Sequence, residues 1–451
     1  MEVKKFRLSN VGRFSDLEIP LAPTKDKTSN MTVLVGNNGS GKTTLLHALA
    51  TSLSWFVGRV RYEKGSGSPI SEDVINNQAS TAVIDIDVWD KRARLDDSLF
   101  SWHIAKTIKG HQSEGRSALS ELSELANHYK AQMSANDASS LPLLAFYPVE
   151  RSVIDIPLKI NNRHSFQQID GYDDSLNRGV DFRRFFEWFR EREDTENEQG
   201  ISNEVFDIFK ERLGNNNKDI WEILSKVKDS SLDRQLTAVR TAISTFMPGF
   251  NNLRIRRKPR LHMSIDKQGE RLNVAQLSQG EKSLLALVGD IAKRLAMMNP
   301  ALENPLHGDG IVMIDEVDLH LHPQWQRTLL ARLSNTFPNC QFVLTTHSPL
   351  VISEAKDVLC YVLNDGELSV MDDTFGLDAN QVLSQVMNTD VRNTEIQTQL
   401  DDLMDAMQDR NLQHARELLS QLRESLPSGN IEITKAELLL RRLELRLEKN
   451  Q

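Results

Sequence analysis

Residues 33 to 53, VLVGNNGSGKTTLLHALATSL, constrain the fold of this chain more than any other stretch. Gly36, Asn37, Asn38, Gly39, Ser40, Gly41, Lys42 and Thr43 fill the pattern G-x-x-x-x-G-K-[ST] at every fixed position, with Thr44 following. The flanks suit the pattern. Met31 to Val35 is a β-branched apolar run that reads as a buried strand, and Thr44 to Leu53 reads as a helix. Glycines let the backbone curl so that successive N–H groups face a phosphate, and the helix N-terminus adds a positive dipole end. Lys42 can reach the outer phosphates of a nucleotide, and the Thr43 hydroxyl can ligate Mg²⁺. The bland alternative is an ordinary Gly-rich strand-to-helix turn.

At 451 residues the chain is too long for one simple core and suggests two or three lobes. A hydrophobic content of 39% and a charged content of 26% suit a globular protein, and no apolar run approaches the roughly 20 residues needed to span a membrane. The first residues, MEVKKFRLSNVGRF, lack the apolar core of a signal peptide and alternate like a strand. Two cysteines, Cys340 and Cys360, argue against a disulfide framework and fit a reducing cytoplasm. The net charge is −9, so nucleic-acid binding would need local basic surface.

Residues 3 to 8 and 15 to 21 read as a hairpin, and 81–89 and 101–108 as strands of a side sheet. Residues 58 to 69, GRVRYEKGSGSP, read as a loop. Leu119, Leu122, Leu125 and Tyr129 are spaced for a surface helix, and 141–147 reads as a central strand. Residues 151–250 form an expected helical insertion between two parts of a nucleotide-binding core, 1–150 and 251–375. Within it, Phe182, Phe185, Phe186 and Phe189 make one aromatic stripe and Val205, Phe206 and Phe209 another, separated by a polar loop, EREDTENEQG. Both stripes read as core. The insertion carries no sustained heptads, so a long coiled-coil arm is not expected. Residues 254 to 266, RIRRKPRLHMSID, read as an extended basic segment, either a solvated edge strand or a phosphate-backbone contact.

Three later motifs complete a pattern. LSQGEK (277–282) opens a long helix, so Ser278, Gln279, Gly280 and Glu281 lie at a second helix N-terminus, another potential anion site. GIVMI (310–314) reads as a strand ending in Asp315 and Glu316. These carboxylates are placed to hold a Mg²⁺ hydration shell and to activate an attacking water. QFVLT (341–345) is a buried strand that delivers His347, which can sense or polarise a γ-phosphate. His320 and His322, near Asp315 and Asp318, are poorly arranged for a transition metal, because alternating residues of an extended chain face opposite ways.

GNNGSGKTT, LSQGEK, IVMIDEVDLHLHP and TTHSP, in this order, resemble the Walker A, signature, Walker B with D-loop, and switch-histidine motifs of ATP-binding-cassette (ABC) ATPases. The DEVDLHLHP and TTHSP wording looks like the soluble branch that holds the OLD-family and SMC-type DNA-repair ATPases. The resemblance implies an α/β ABC-type P-loop fold: a mixed central sheet, an antiparallel β side sheet, an inserted helical lobe and a C-terminal helical tail. It implies ATP and Mg²⁺ as cofactors, Lys42 and Thr43 on phosphate and metal, Asp315 on the metal, Glu316 as catalytic base and His347 as γ-phosphate sensor. Ser278, Gln279, Gly280 and Glu281 would then meet the ATP of a second copy, in a head-to-tail homodimer or an oligomer of dimers. Gln279 stands where the commonest signature has glycine, no Q-loop glutamine follows LLAFY, and Arg13 is a candidate for the branch's N-terminal phosphate-gripping arginine.

From 376 on, Ile396, Leu400, Leu403 and Met407 form one helical stripe, and Leu412, Ala415, Leu418, Leu419 and Leu422 another, with a third helix over about 433–448. Core packing is the default reading, with partner docking as a second role. This 376–451 tail is too short for the nuclease domain of OLD-type proteins, and Asp372-Asp373 alone does not make a nuclease site. The tail on a compact cassette is similar to the PtuA family, ATPases of the two-component Septu anti-phage system whose partner, PtuB, is an HNH nuclease. That similarity implies a regulatory ATPase with a separate HNH nuclease partner, meeting DNA through the complex and using no membrane. The alternatives are a stand-alone SMC-type repair ATPase, against which the missing heptads count, and a transport ATPase subunit.

Overall fold

The computed structural model describes residues 1–90, 92, 99–111, 115–136, 138–150, 166–199, 232–371, 374–385, 393–427 and 429–448. The chain divides into two compact units, Met1–Asp378 and Ala379–Gln451. The expected Val205–Phe206–Phe209 stripe, much of the expected 151–250 lobe and Asp372-Asp373 lie outside the described residues.

Among the described residues the first unit is built on three sheets. The hairpin β1 (Glu2–Val11) and β2 (Phe14–Pro20) joins β4 (Thr81–Trp89) and β5 (Leu99–Thr107) in an antiparallel side sheet ordered β2-β1-β4-β5. The central sheet holds six strands: β3 (Met31–Gly36), β6 (Leu143–Tyr147), β10 (Gly310–Ile314), β11 (Cys340–Thr346), β12 (Leu359–Asn364) and β13 (Glu367–Val370). Their order is β13-β12-β3-β11-β10-β6, parallel throughout except for the antiparallel β12–β13 pair. Every residue of β3, β6, β10 and β11 is buried, as their uninterrupted apolar runs require of parallel strands covered on both faces. The 141–147 run is therefore a strand of this sheet, but it forms one end of the order rather than its centre.

Three further details depart from expectation. The helix after β3 runs Lys42–Arg61, so the first residues of the expected loop continue it. The basic segment is not one extended stretch but a hairpin: β7 (Phe250–Arg256) turns back into β8 (His262–Lys267), which pairs with β9 (Glu270–Asn273). The polar stretch EREDTENEQG is not a loop, because the helix that starts at Phe182 continues to Gln199. Phe182, Phe185, Phe186 and Phe189 are buried as expected. Past them the same helix turns Glu193 and Glu196 inward, where Arg240 meets both carboxylates, at 2.9 and 2.8 Å. Arg254 adds a contact to Glu193 at 3.5 Å, and the Ile255 N–H donates to it at 2.7 Å. Arg254 of the basic segment is thus turned toward these acids and only partly exposed. Burial raises the Glu193 pKa, against the pull of that N–H and the two arginines.

The helix Gln279–Met298 is buried along nearly its whole length and encloses a charged cluster. Asp290, fully buried, accepts from Arg294 Nε at 2.6 Å and from the Tyr147 hydroxyl at 3.0 Å. It also pairs with Lys293 at 2.7 Å, as a charge contact rather than an aligned hydrogen bond. Arg294 in turn donates to the carbonyls of Gly171 and Asp173 at 2.6 and 3.0 Å. No helix among the described residues is long and apolar enough to cross a membrane.

The second unit is a series of helices, Ala379–Gln385, Thr394–Gln408, Leu412–Ser425 and Ile431–Glu448. Asn393 and Asn411 cap the second and third through their side-chain oxygens. Leu400, Leu403, Met407, Ala415, Leu419, Leu422, Ile433 and Leu440 form its core, in keeping with the stripes read from the sequence.

Candidate active site

The C-terminal ends of β3, β11 and β10 lie side by side in the sheet, where an open α/β sheet carries its ligands. Beyond β3 the backbone turns through the loop 37–41 into the helix Lys42–Arg61, whose N-cap, Gly41, has φ +106°. That conformation suits glycine, and a Cβ there would stand 2.5 Å from the Phe14 ring. The helix has no side-chain cap and no acid in its first turn, so its N-terminus keeps its attraction for an anion. Lys42 folds back to donate to the carbonyls of Gly36 and Asn37, at 2.8 and 3.0 Å. Burial lowers the Lys42 pKa, and the nearby Asp315 and Glu316 charges resist that fall. Arg13 donates to the Gly39 carbonyl at 2.7 Å, so the structure brings it onto the phosphate loop.

The Thr43 hydroxyl donates to Asp315 Oδ2 at 2.7 Å. Asp315 follows β10 directly and is almost wholly buried. Its neighbour Glu316 is half-buried with φ +45°, a left-handed conformation unusual for a side-chain-bearing residue. His347 follows β11, half-buried. Burial, reinforced by the Lys42 charge, lowers its pKa despite Glu316, Asp318 and Asp315. That shift favours the neutral imidazole, which can donate one N–H.

The second helix N-terminus is capped by its own residues. Ser278 Oγ accepts from the Glu281 N–H at 3.4 Å, while Glu281 accepts from the Ser278 N–H at 3.0 Å, a reciprocal capping box. Lys267 pairs with Glu281 at 2.8 Å. Although burial opposes it, the hydrogen bonds from Lys267 and Ser278 hold the Glu281 pKa below its ordinary value. Gln279 is exposed and Gly280 half-buried. A Cβ on Gly280 would meet the His320 carbonyl oxygen at 2.4 Å, so this helix start sits directly against the turn that follows Glu316. His322 accepts from the Gln324 N–H at 3.3 Å and caps the helix Pro323–Thr336.

A cleft of about 470 Å³ opens beside the phosphate loop, a feature the motifs did not announce. The phosphate-loop helix supplies Thr43, Thr44 and His47 on one side, and Val11, Ile70, Val74 and Ile84 supply an apolar wall. Ser71 and Asp73 add polar groups to that wall, so the cleft is apolar on one face and polar at its rim. Four segments distant in sequence build it, and only the strand alternation that buries Ile84 hinted at any part.

Thr43 and Asp315 present hard oxygen donors next to a phosphate-binding loop, a donor set that fits Mg²⁺. The arrangement can therefore hold a nucleoside triphosphate and bring a carboxylate to its outer phosphate.

Residues 31–353 match the family model described as AAA domain, putative AbiEii toxin, Type IV TA system. The chain belongs to this ATPase family. It is 33% identical over 418 residues to the retron Vc95 probable ATPase of Vibrio cholerae serotype O1 biovar El Tor, covering 85% of this chain and 79% of that protein. A shorter match, 40% identical over 95 residues, is to the Septu protein PtuA of Bacillus mycoides (strain KBAB4), covering 21% of this chain and 12% of that one. Among solved structures it is similar to an SMC head bound to the C-winged helix domain of ScpA, with 17% identity and a TM-score of 0.45, covering 82% of this chain and 97% of that one. The ATPase is thus related to retron ATPases along most of its length and to PtuA over a shorter stretch.

Proposed function

We propose that this ATPase is the nucleotide-operated regulatory subunit of a two-component defence complex, which binds ATP between two copies of itself and controls a separate HNH-type nuclease acting on DNA. The observation that carries the reading is the convergence of Lys42, Thr43, Asp315, Glu316 and His347 at the ends of three neighbouring strands. The kinship with a retron ATPase and with the Septu protein PtuA supports the defence part of the reading.

In this reading Gly36 to Thr44 wrap the phosphates with backbone N–H groups, and Lys42 leaves its loop carbonyls for the β- and γ-phosphate oxygens. Thr43 and Asp315 hold Mg²⁺, which when bound offsets phosphate charge. Glu316 orients a water and takes one of its protons as the oxygen attacks the γ-phosphorus in line. The bond to the ADP oxygen breaks, and ADP and phosphate leave. His347, neutral, donates its N–H to a γ-phosphate oxygen and so distinguishes ATP from ADP. Ser278, Gln279, Gly280 and Glu281 of a second copy close over the same ATP, their helix N-terminus supplying a second set of donors. Within one copy Gly280 packs against the turn after Glu316, so this helix start is coupled to its own Walker B turn while its free N–H groups face outward to the second copy's ATP in this reading. Gain and loss of the γ-phosphate then close and open the pair, and the C-terminal helices relay the change to the nuclease.

The Glu316→Gln chain should bind ATP with near-parental affinity and hydrolyse it at least about 100-fold more slowly, whereas Lys42→Ala should lose binding. Parental turnover by Glu316→Gln would remove Glu316 from the role of base.

A further inference from the structure

Thr345 is the last residue but one of β11 and is fully buried, yet its polar atoms address three consecutive residues of the neighbouring turn. Its hydroxyl donates to Asp315 Oδ1 at 2.5 Å and accepts from the Glu316 N–H at 2.7 Å. Its carbonyl accepts from the Val317 N–H at 2.9 Å. The other Asp315 oxygen, Oδ2, is the one that meets Thr43. Glu316, between these anchors, sits at φ +45°, a left-handed conformation that an L-residue keeps only where the surroundings hold it.

We propose that Thr345 is a positioning residue for ATP hydrolysis. Its hydroxyl fixes which Asp315 oxygen faces the Thr43 side, and it pins the strained backbone from which the Glu316 carboxylate is aimed. The proposal rests on Glu316 acting as the base. The physical need is plain: a carboxylate on a turn is aimed at an attacking water only as precisely as the backbone that carries it is held. A buried donor–acceptor hydroxyl joins the metal-side carboxylate and the base's own amide in one rigid unit. A β-branched residue suits a strand, and of the β-branched residues only threonine adds a hydroxyl.

The test compares Thr345→Val, which keeps the shape and removes the hydroxyl, with Thr345→Ser, which keeps the hydroxyl and removes the methyl. The valine chain should lose about 10–100-fold in kcat, the range for loss of a residue that orients a metal ligand. Its KM for ATP, and its Mg²⁺-dependent affinity for a non-hydrolysable ATP analogue, should stay within about 3-fold of the parent, and serine should keep kcat within the same factor. Parental kcat in the valine chain overturns the proposal, as does an equal loss in valine and serine, which would make packing the cause. A parallel loss of analogue affinity overturns it too, because the hydroxyl would then serve binding. If the valine chain does not fold, Thr345→Ala replaces it, with the same outcomes. Glu316→Gln separates the two levels: if it hydrolyses at the parental rate the base assignment fails, whereas an inactive Glu316→Gln beside a fully active Thr345→Val sinks the role of Thr345 alone.

Discussion

Replacing Asp290 by asparagine should destabilise the ATPase more than almost any other single polar substitution. The side chain has no exposure, and it faces Lys293, Arg294 and the Tyr147 hydroxyl at 2.6–3.0 Å. The two cations are themselves buried, so removing the carboxylate strands their charge in the interior. Losing one partner of a buried ion pair costs about 3–5 kcal/mol. At roughly 1.3 °C per kcal/mol for a unit of this size, the melting temperature should fall by about 4–6 °C. The acid limb gives an independent measure. Although burial works against ionisation, Arg294 and Lys293 hold the Asp290 pKa at about 2, below an ordinary value of 3.8. A depressed carboxylate pKa adds stability above the unfolded value that disappears as pH drops through the folded one. The parent should therefore lose about 2 kcal/mol from this group between roughly pH 4 and 2, and Asp290→Asn should lack that component. Urea denaturation at pH 7 and pH 3, followed by circular dichroism, reads both effects. Adding Lys293→Met to the asparagine chain should recover part of the loss. A single substitution within about 0.5 kcal/mol of the parent at pH 7 would refute the account of this cluster.

Two further predictions concern surfaces. Removing residues 379–451 deletes one compact unit, and the remaining chain should keep its affinity for ATP while losing co-purification with the nuclease partner proposed for it; an unchanged complex would show that docking lies elsewhere. Reversing Arg256 and Arg257 to glutamate, at the end of β7 and in the exposed turn beyond it, should weaken DNA binding by the complex and flatten its dependence on salt. An unchanged slope would leave that turn a solvated hairpin end.

The phosphate loop, the Walker B pair and the strand before His347 were legible because each is a short apolar run followed by polar residues whose order the chemistry dictates. The paired strands β1 and β2 and the stripes of the C-terminal helices were legible from periodicity alone. What could not be read were the contacts that join distant segments. EREDTENEQG looked like a solvated loop because nothing local shows that Arg240 and Arg254 wait for Glu193 and Glu196. Arg254, read as part of a basic surface, is taken up by those same acids. The cleft beside Thr44 needed residues from β1, the segment around Ile70 and β4 to meet. Thr345 looked like an ordinary buried strand residue, and only the register of β11 against β10 gives its hydroxyl a task.

The position of β3 has a consequence for how the protein is made. Its two sheet neighbours are β11 and β12, which begin at residues 340 and 359. A strand finished at residue 36 must therefore wait for roughly 300 more residues before either edge is paired. At about 5–20 residues per second that is roughly 15–60 s of synthesis during which the Walker A segment has no sheet to belong to. The same long separation makes the central sheet a late and slow event in folding. ATP cannot serve as an early scaffold for the nascent chain. A polypeptide broken off before residue 340 carries the complete GNNGSGKTT text and still lacks both strands that flank β3.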